Sequence, residues 1–399
     1  MTWPPLRVGI LGFGGAGQAH AFYVPCVPGC RVVKVFDPEP ERLARAALGA
    51  PQAVRCGGLD EFWPDLDAVI VCTPDRTHAG YIVDALAHGL HVLCEKPLTD
   101  SMDGIRRISA AEAASDRVVA VVHQMRFVPL HQKIHAAIDA GVLGAISYLE
   151  GYYAHNLTTR AFQNDTWRRT DNATPLVYSG CHFVDLLRWF AGEEIVEVFG
   201  AANNIAFPAY PESDLNVVLM RFASGAIGKV VVTFGEPAPQ DHTVRVSGAK
   251  GSVQNTLLFT NEHRWGTVLH RPIVIQRPLL KGPGKEGGQT FYRQLRTNLP
   301  PYIVARMFDG LRFGARRPGA EYGVRYYPLR LYEHSLACVN AIHDFVTAIR
   351  ERRRPLCTVD ESARTVLACL AGVESYRTNR PVAVPRLTDV LAAGVAVTR

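Results

Sequence analysis

Five short apolar runs, at 7–11, 31–36, 68–72, 90–94 and 118–122, punctuate the first third of the chain. Each reads as a strand, and the stretches between them, 41–48, 79–88 and 102–114, carry apolar residues at helical spacing. Strand and helix in alternation predict a doubly wound parallel sheet, in which ligands collect at the carboxyl ends of the strands. After a helix over 129–140, ended by Gly141, the pattern changes to alternating strands at 145–153, 195–202, 216–222, 226–234 and 243–246. Ser224-Gly225 supplies a hairpin turn between two of them. Amphipathic helices at 332–350 and 361–378 follow. The expectation is an α/β chain of two domains: a doubly wound parallel sheet over 1–127, then an α+β domain over 128–399 with a large, mostly antiparallel open sheet.

The first strand runs directly into Gly12-Phe13-Gly14-Gly15-Ala16-Gly17, and the second ends at Asp37, twenty residues after Gly17. This is the spacing of a Rossmann dinucleotide grip. Gly12 permits the tight turn, Gly14 lets the backbone approach a pyrophosphate, and Gly17 lets the helix pack against the strand. The helix N-terminus then faces the phosphates. Asp37 is placed to accept hydrogen bonds from ribose hydroxyls and to repel a 2′-phosphate, which favours NAD over NADP. Arg42 is the residue that could instead answer a 2′-phosphate, and a glycine turn serving only packing is the bland alternative.

Composition narrows the class. With 399 residues, 48% hydrophobic and 20% charged, the chain can bury a large core. Its nine cysteines are scattered without CxxC or paired metal-ligand spacing, so no metal is expected. No leader-like segment precedes the strand entered at Leu6, and no apolar stretch approaches the ~20 residues of a membrane span. A cytoplasmic protein with reduced thiols is the expectation. The net charge of +6 is unevenly placed, because 264–330 holds 13 Lys/Arg against 3 Asp/Glu. The basic insertion at 275–328 is either a rim that attracts an anionic substrate or another subunit, or a solvated surface segment. Nucleic-acid binding is not expected, since no recognised module is present.

Chemistry is sought where strands end. The third run leads into Thr73-Pro74-Asp75-Arg76-Thr77-His78, and the fourth into Glu95-Lys96-Pro97. A lysine beside a dinucleotide can stabilise the alkoxide that forms as a substrate hydroxyl is oxidised. Partial burial would lower its pKa, and Glu95 would orient or neutralise it. An ordinary surface turn is the alternative.

Gly12-Phe-Gly-Gly-Ala-Gly17, Thr73-Pro74 with His78, Glu95-Lys96-Pro97, Gln124-Met-Arg126-Phe and Cys181-His182-Phe-Val-Asp185 occur in that order. Together they make the chain resemble the Gfo/Idh/MocA family of oxidoreductases over most of its length. The resemblance implies a Rossmann domain, a C-terminal domain whose open sheet forms homo-oligomer contacts as a dimer or tetramer, and NAD(P) chemistry on sugars, cyclitols or their derivatives. It implies cofactor contacts from Gly12 to Gly17, Asp37, Thr73, Pro74, His78, Glu95 and Lys96, with Lys96 in the active site.

The helix starting near Ser179 buries 183, 186, 187 and 190, leaving His182 near its N-terminus. An imidazole there, with a pKa near the working pH, can take a hydroxyl proton. The resemblance gives His182 the role of general base or acid. Asp185 either orients that imidazole or serves the helix. Many members carry Asp four residues before the histidine, whereas this chain has Tyr178, which either hydrogen-bonds substrate and shares acid–base work or packs. Tyr153, His155, Trp167 and Arg168 suit a sugar face or an acidic group, with rim packing as the alternative. Arg126 is expected at the substrate side, supporting the cleft.

The expected activity is NAD-dependent oxidation of a secondary alcohol, or reduction of the ketone, on a sugar, cyclitol or glycoside. A tightly bound NAD used transiently for glycoside cleavage or epimerisation, and a dinucleotide sensor without catalysis, are the alternatives.

Overall fold

The structure, a computed structural model, describes residues 4–158, 174–237, 241–260, 263–268 and 327–395. Trp167, Arg168 and nearly all of the 275–328 insertion lie outside the described residues.

The N-terminal sheet contains β1 (Leu6–Leu11), β2 (Cys30–Phe36), β3 (Val54–Arg55), β4 (Ala68–Val71), β5 (His91–Cys94) and β6 (Val119–Val121). Its order is β3-β2-β1-β4-β5-β6, and every pairing is parallel. The order reverses between β1 and its two neighbours, so the glycine loop after β1 opens at the switch point, where a parallel sheet offers a crevice. Val69, Val71, Val92 and Cys94 are fully buried, as strands covered on both faces require.

The second sheet has nine strands. In chain order they are β7 (Ile146–Ala154), β8 (Ile195–Asn203), β9 (Leu215–Phe222), β10 (Ile227–Thr233), β11 (Asp241–Gly248), β12 (Gly251–Gln254), β13 (Leu257–Thr260), β14 (His263–Val268) and β15 (Val382–Ala383). They run β14-β13-β12-β11-β7-β10-β9-β8-β15, antiparallel throughout except where β10 pairs with β7. Alternation decides the faces. Val218, Met220 and Phe222 of β9 point into the core, each contributing on the order of 1.5–3 kcal/mol. Leu219 points out and is 44% exposed. The helices Cys181–Ala191 and Val359–Thr378 cover the inner face.

The helix expected over 41–48 is divided at Arg45 into Pro40–Ala44 and Ala46–Gly49, because the Arg45 N–H bonds both Arg42 and Leu43 carbonyls and tightens the turn. Strands β12 to β15 are short and were not expected. The last helices also return to the first domain. Val359, Ala363, Val366, Leu367, Leu387 and Val390 share a core with Leu98, Ile105, Ile108 and Val119. Helical periodicity shows that a face is buried, not which layer buries it. Among the described residues, no helix is long and apolar enough to cross a membrane.

Candidate active site

The glycine loop has the backbone that its sequence requires. Gly12 sits at φ +89, and a Cβ there would lie 2.7 Å from the Cys72 carbonyl oxygen. A Cβ on Gly17 would run into the Gly12 carbonyl. Around Gly14 and Gly15 the opposite holds, with nothing within 4 Å of a Cβ. The helix Gly15–Tyr23 begins there, with Gly14 as its N-cap and Ala16 exposed in its first turn. Open space at the positive end of a nine-residue helix is what a diphosphate needs.

Phe13 faces the other way. Its ring is fully buried beside Ile10, Ala21 and Val35, so only its backbone belongs to the loop surface. That N–H donates to Asp37 Oδ2 at 2.7 Å, and Asp37 Oδ1 accepts from the Glu39 N–H at 2.9 Å. Each carboxylate oxygen retains a lone pair for a ribose hydroxyl. The cradle and the acid at the β2 tip therefore fit a dinucleotide.

Thr73 and Pro74 follow β4 at the rim of the same crevice, where the Thr77 hydroxyl lies 2.8 Å from the Thr73 hydroxyl and 2.7 Å from the Pro74 carbonyl. His78, expected at the cofactor, is fully buried instead. Its Nδ1 lies 2.8 Å from the Pro97 carbonyl and its Nε2 lies 2.9 Å from the Thr73 carbonyl. The imidazole lies between the two strand-end loops, with a carbonyl oxygen facing each ring nitrogen.

Lys96, half-buried, reaches across to the second domain. Its Nζ donates to the Tyr178 carbonyl at 3.0 Å and stands 4.2 Å from the centre of the Tyr178 ring. Burial opposes the ammonium, but Tyr178, Cys181, Asp75 and Glu95 outweigh it and hold the pKa above the usual lysine value. The expected lowering is thereby reversed: the lysine acts as a fixed positive charge. Glu95 does not pair with that ammonium. Its Oε1 lies 2.7 Å from His20 Nε2, and its Oε2 accepts the Lys96 backbone N–H at 3.2 Å.

Tyr178 lies in a π-helical turn, Leu176–Gly180, that leads into the helix Cys181–Ala191. His182 is the second residue of that helix and is 4% exposed. Neither ring nitrogen has a hydrogen-bond partner among the described residues, and Nδ1 is fully enclosed. Burial, then the positive charge of Lys96 and the neighbouring His123, His242 and His334, push its pKa well below the ordinary histidine value. A pKa near working pH is therefore not what this environment gives. The imidazole is neutral at pH 7, with the lone pair of one ring nitrogen unused among the described residues.

Asp185 is held by Arg126 and not by His182. It is fully buried, and Arg126 grips it in two-point fashion, Nε to Oδ2 at 2.8 Å and Nη2 to Oδ1 at 2.7 Å. Thr365 Oγ1 donates to the same carboxylate at 3.2 Å. Arg126 is 2% exposed and also meets Glu361 at 3.1 Å, so its guanidinium is spent inside the protein and does not reach a substrate. The Asp185–Arg126 pair fixes the His182 helix to the end of β6. Arg188, on the same helix, pairs with Glu194 at 2.8 Å.

Tyr153, at the end of β7, lies parallel to His182 with ring centres 6.0 Å apart and places its hydroxyl 3.3 Å from His155 Nδ1. It also stacks at 4.5 Å on His242, its cross-strand neighbour on β11. His20, His123 and His242 are the residues that sequence reasoning missed. His20 was visible as the histidine three residues after Gly17. His242 carries no sequence signal, because its place depends on the pairing of β7 with β11. Among the described residues, no group of three or more His, Cys, Asp or Glu is arranged to hold a metal ion.

Comparison with known proteins adds the lineage. Residues 6–123 match the model of an oxidoreductase family with an NAD-binding Rossmann fold, and residues 131–254 match the GFO/IDH/MocA C-terminal domain. An inositol 2-dehydrogenase of Rubrobacter xylanophilus is 31% identical over 254 residues, 62% of this chain and 71% of that protein. The chain belongs to the Gfo/Idh/MocA family. It is accordingly an NAD-binding oxidoreductase. Another relative in the family, the scyllo-inositol 2-dehydrogenase (NAD(+)) of Bacillus subtilis, is 29% identical over 66% of this chain and 77% of its own length. The solved scyllo-inositol dehydrogenase of Lactobacillus casei, with bound NAD(H) and scyllo-inositol, superposes with a TM-score of 0.70. That likeness covers 95% of this chain and 99% of the other at 19% identity, and it shows the shared two-domain fold.

Proposed function

We propose that this protein is an NAD-dependent dehydrogenase of a secondary alcohol on a cyclitol or a related polyol, with Lys96 and His182 as its catalytic residues. The observation that carries the reading is a buried, neutral, unpartnered imidazole on the same short segment as the carbonyl that anchors the lysine. The names of the inositol dehydrogenases similar to this chain support the substrate class.

Gly12, Gly14, Gly15 and Gly17 would hold the diphosphate and Asp37 the adenosine ribose, with Thr73 and Pro74 along the rim. When bound, the nicotinamide accepts the carbinol hydrogen together with its electron pair. His182 takes the hydroxyl proton at a ring nitrogen, for which its neutrality at pH 7 prepares it. Lys96 holds its ammonium against the developing alkoxide, and its raised pKa keeps that charge in place. Tyr153 is buried with its ring stacked on His242, so it backs the His182 ring, and half-buried His155 is the residue that offers a polar edge to the substrate.

Incubation with NAD and myo-inositol or scyllo-inositol should produce NADH, and Lys96→Met should abolish it while NAD binding persists. Undiminished turnover in Lys96→Met would refute the role of the lysine. The outer face of the second sheet supports a homo-oligomer, since Phe199, Leu219 and Ile227 are 40%, 44% and 41% exposed there, and Phe199 pairs with Leu219 across β8 and β9. Light scattering on the purified protein tests this.

A further inference from the structure

One buried polar pair has no part in proton transfer or substrate contact. His20 is 1% exposed and lies on the helix whose N-terminus forms the dinucleotide cradle, five residues or about 7.5 Å of rise from Gly15. Its Nε2 stands 2.7 Å from Glu95 Oε1. Glu95 in turn accepts the backbone N–H of Lys96, whose Nζ is anchored on Tyr178. An unbroken path therefore runs from the cradle through His20, Glu95 and Lys96 to the segment that carries His182.

We propose that His20 is a positioning residue: it holds the Glu95 carboxylate away from the Lys96 ammonium, so that Nζ stays directed at Tyr178 and available to a substrate alkoxide. The proposal rests on the reading of Lys96 as catalytic.

The argument concerns competition for one anion. Burial favours a neutral Glu95, yet the His20 hydrogen bond and charge, followed by Lys96 and His334, hold its pKa down to about 2. An ionised carboxylate only accepts, so His20 Nε2 carries the shared proton. The other titratable groups facing Glu95 are Cys72 at the end of β4, Cys94 of β5, Tyr23 on the glycine-loop helix, and Cys338 with His334 on the helix Tyr327–Glu351. Among the described residues, His20 is the only side chain that places a donor within hydrogen-bond distance of the carboxylate. Without it, the ammonium of the next residue, whose charge already acts on Glu95, becomes a competing partner. An ion pair formed there would draw Nζ off Tyr178 and direct its charge at Glu95 instead of at the alkoxide.

The test compares His20→Ala, His20→Gln and Lys96→Met in the full chain, with NAD and myo-inositol as probes. His20→Ala should lower kcat by on the order of 10²-fold, the loss typical of a displaced catalytic group, while Kd for NAD stays near that of the parent. His20→Gln, whose amide N–H can replace Nε2, should recover most of the lost kcat. Two readouts need no turnover. Amine labelling of Lys96 by trinitrobenzenesulfonate, located by peptide mass spectrometry, should slow in His20→Ala and recover in His20→Gln. The Tm gap between parent and His20→Ala should be largest near neutral pH and should close as pH falls below about 4, where Glu95 becomes protonated in the variant.

Unchanged Lys96 labelling in His20→Ala, or parallel losses of kcat, NAD affinity and Tm that Gln does not repair, would overturn the proposal and leave His20 a packing residue. Full activity in Lys96→Met would instead overturn the functional reading beneath it, whatever the His20 variants do.

Discussion

Replacing Asp185 by Asn separates a structural carboxylate from a catalytic one. Asp185 Oδ1 and Oδ2 hold Arg126 at 2.7 and 2.8 Å with both side chains enclosed, so the substitution removes one charge from a buried, two-point pair. Breaking such a pair costs roughly 3–5 kcal/mol. The lower end applies here, about 3 kcal/mol, because Glu361 remains 3.1 Å from Arg126 and the amide keeps one acceptor oxygen. At about 2 °C per kcal/mol for a large domain, Tm should fall by roughly 6 °C. Burial raises the Asp185 pKa, but Arg126 and His123 more than compensate and hold it below the ordinary carboxylate value of 3.8. That stabilisation is fully present above the ordinary value of 3.8 and is lost as pH falls through the lower native pKa, so parent and variant should converge in stability as the pH is taken progressively below 3.8. Urea unfolding across this range measures the difference. Turnover per folded molecule should change little, since the Asp185 carboxylate is bonded to Arg126 and Thr365 and not to His182. A variant with parental stability and a collapsed kcat would refute the reasoning and return Asp185 to the role of orienting the imidazole.

Other outcomes follow from the same geometry. Because His182 is pushed well below its ordinary pKa, the acid limb of kcat/KM should lie well under pH 6.5, and a half-maximal point at 6.5 or above in a pH–rate profile would contradict it. Burial also pushes His123 and His131 down to about 4. Unfolding then takes up protons at three histidines between about pH 6.5 and 4, and stability should drop by roughly 1.4 kcal/mol per pH unit for each, measurable by denaturant titration. Gly17→Ala forces a methyl into the Gly12 carbonyl and should abolish NAD binding in calorimetry. Asp37→Ser should narrow the preference for NAD over NADP by more than tenfold, as the ratio of kcat/KM values reports, if the carboxylate is what repels a 2′-phosphate.

The parts of this site that sequence reasoning located are those fixed by local backbone demands. Gly12 needs its positive φ and Gly17 its missing side chain for reasons contained within ten residues. Lys96 was located because a strand end in a parallel sheet is a place where ligands collect. What escaped was pairing at a distance. Asp185 is 59 residues from Arg126, and Glu95 is 75 residues from His20. Nothing in either local pattern says which opposite charge will be nearest after folding, so a carboxylate three residues from a histidine could be read either as its orienter or as part of the helix. His78 misled in a related way. A histidine following a strand-end loop suggests ligand contact, whereas carbonyl oxygens of two neighbouring loops face its nitrogens. The return of the chain to the first core through Val359 and Val366 was invisible for the same reason.

The π-helical turn at Leu176–Gly180 has a consequence for how this site can diversify. It presents a main-chain carbonyl, that of Tyr178, as the anchor for Lys96. An anchor made of backbone survives any change of side chain at the position that supplies it. Residue 178 can therefore exchange a carboxylate for a phenol, or for something else, while the lysine keeps its mooring and the reaction its positive charge. A change of side chain at position 178 is thus separable from the mooring of the lysine, which makes that position a natural place for selection, natural or in the laboratory, to vary the surroundings of Lys96.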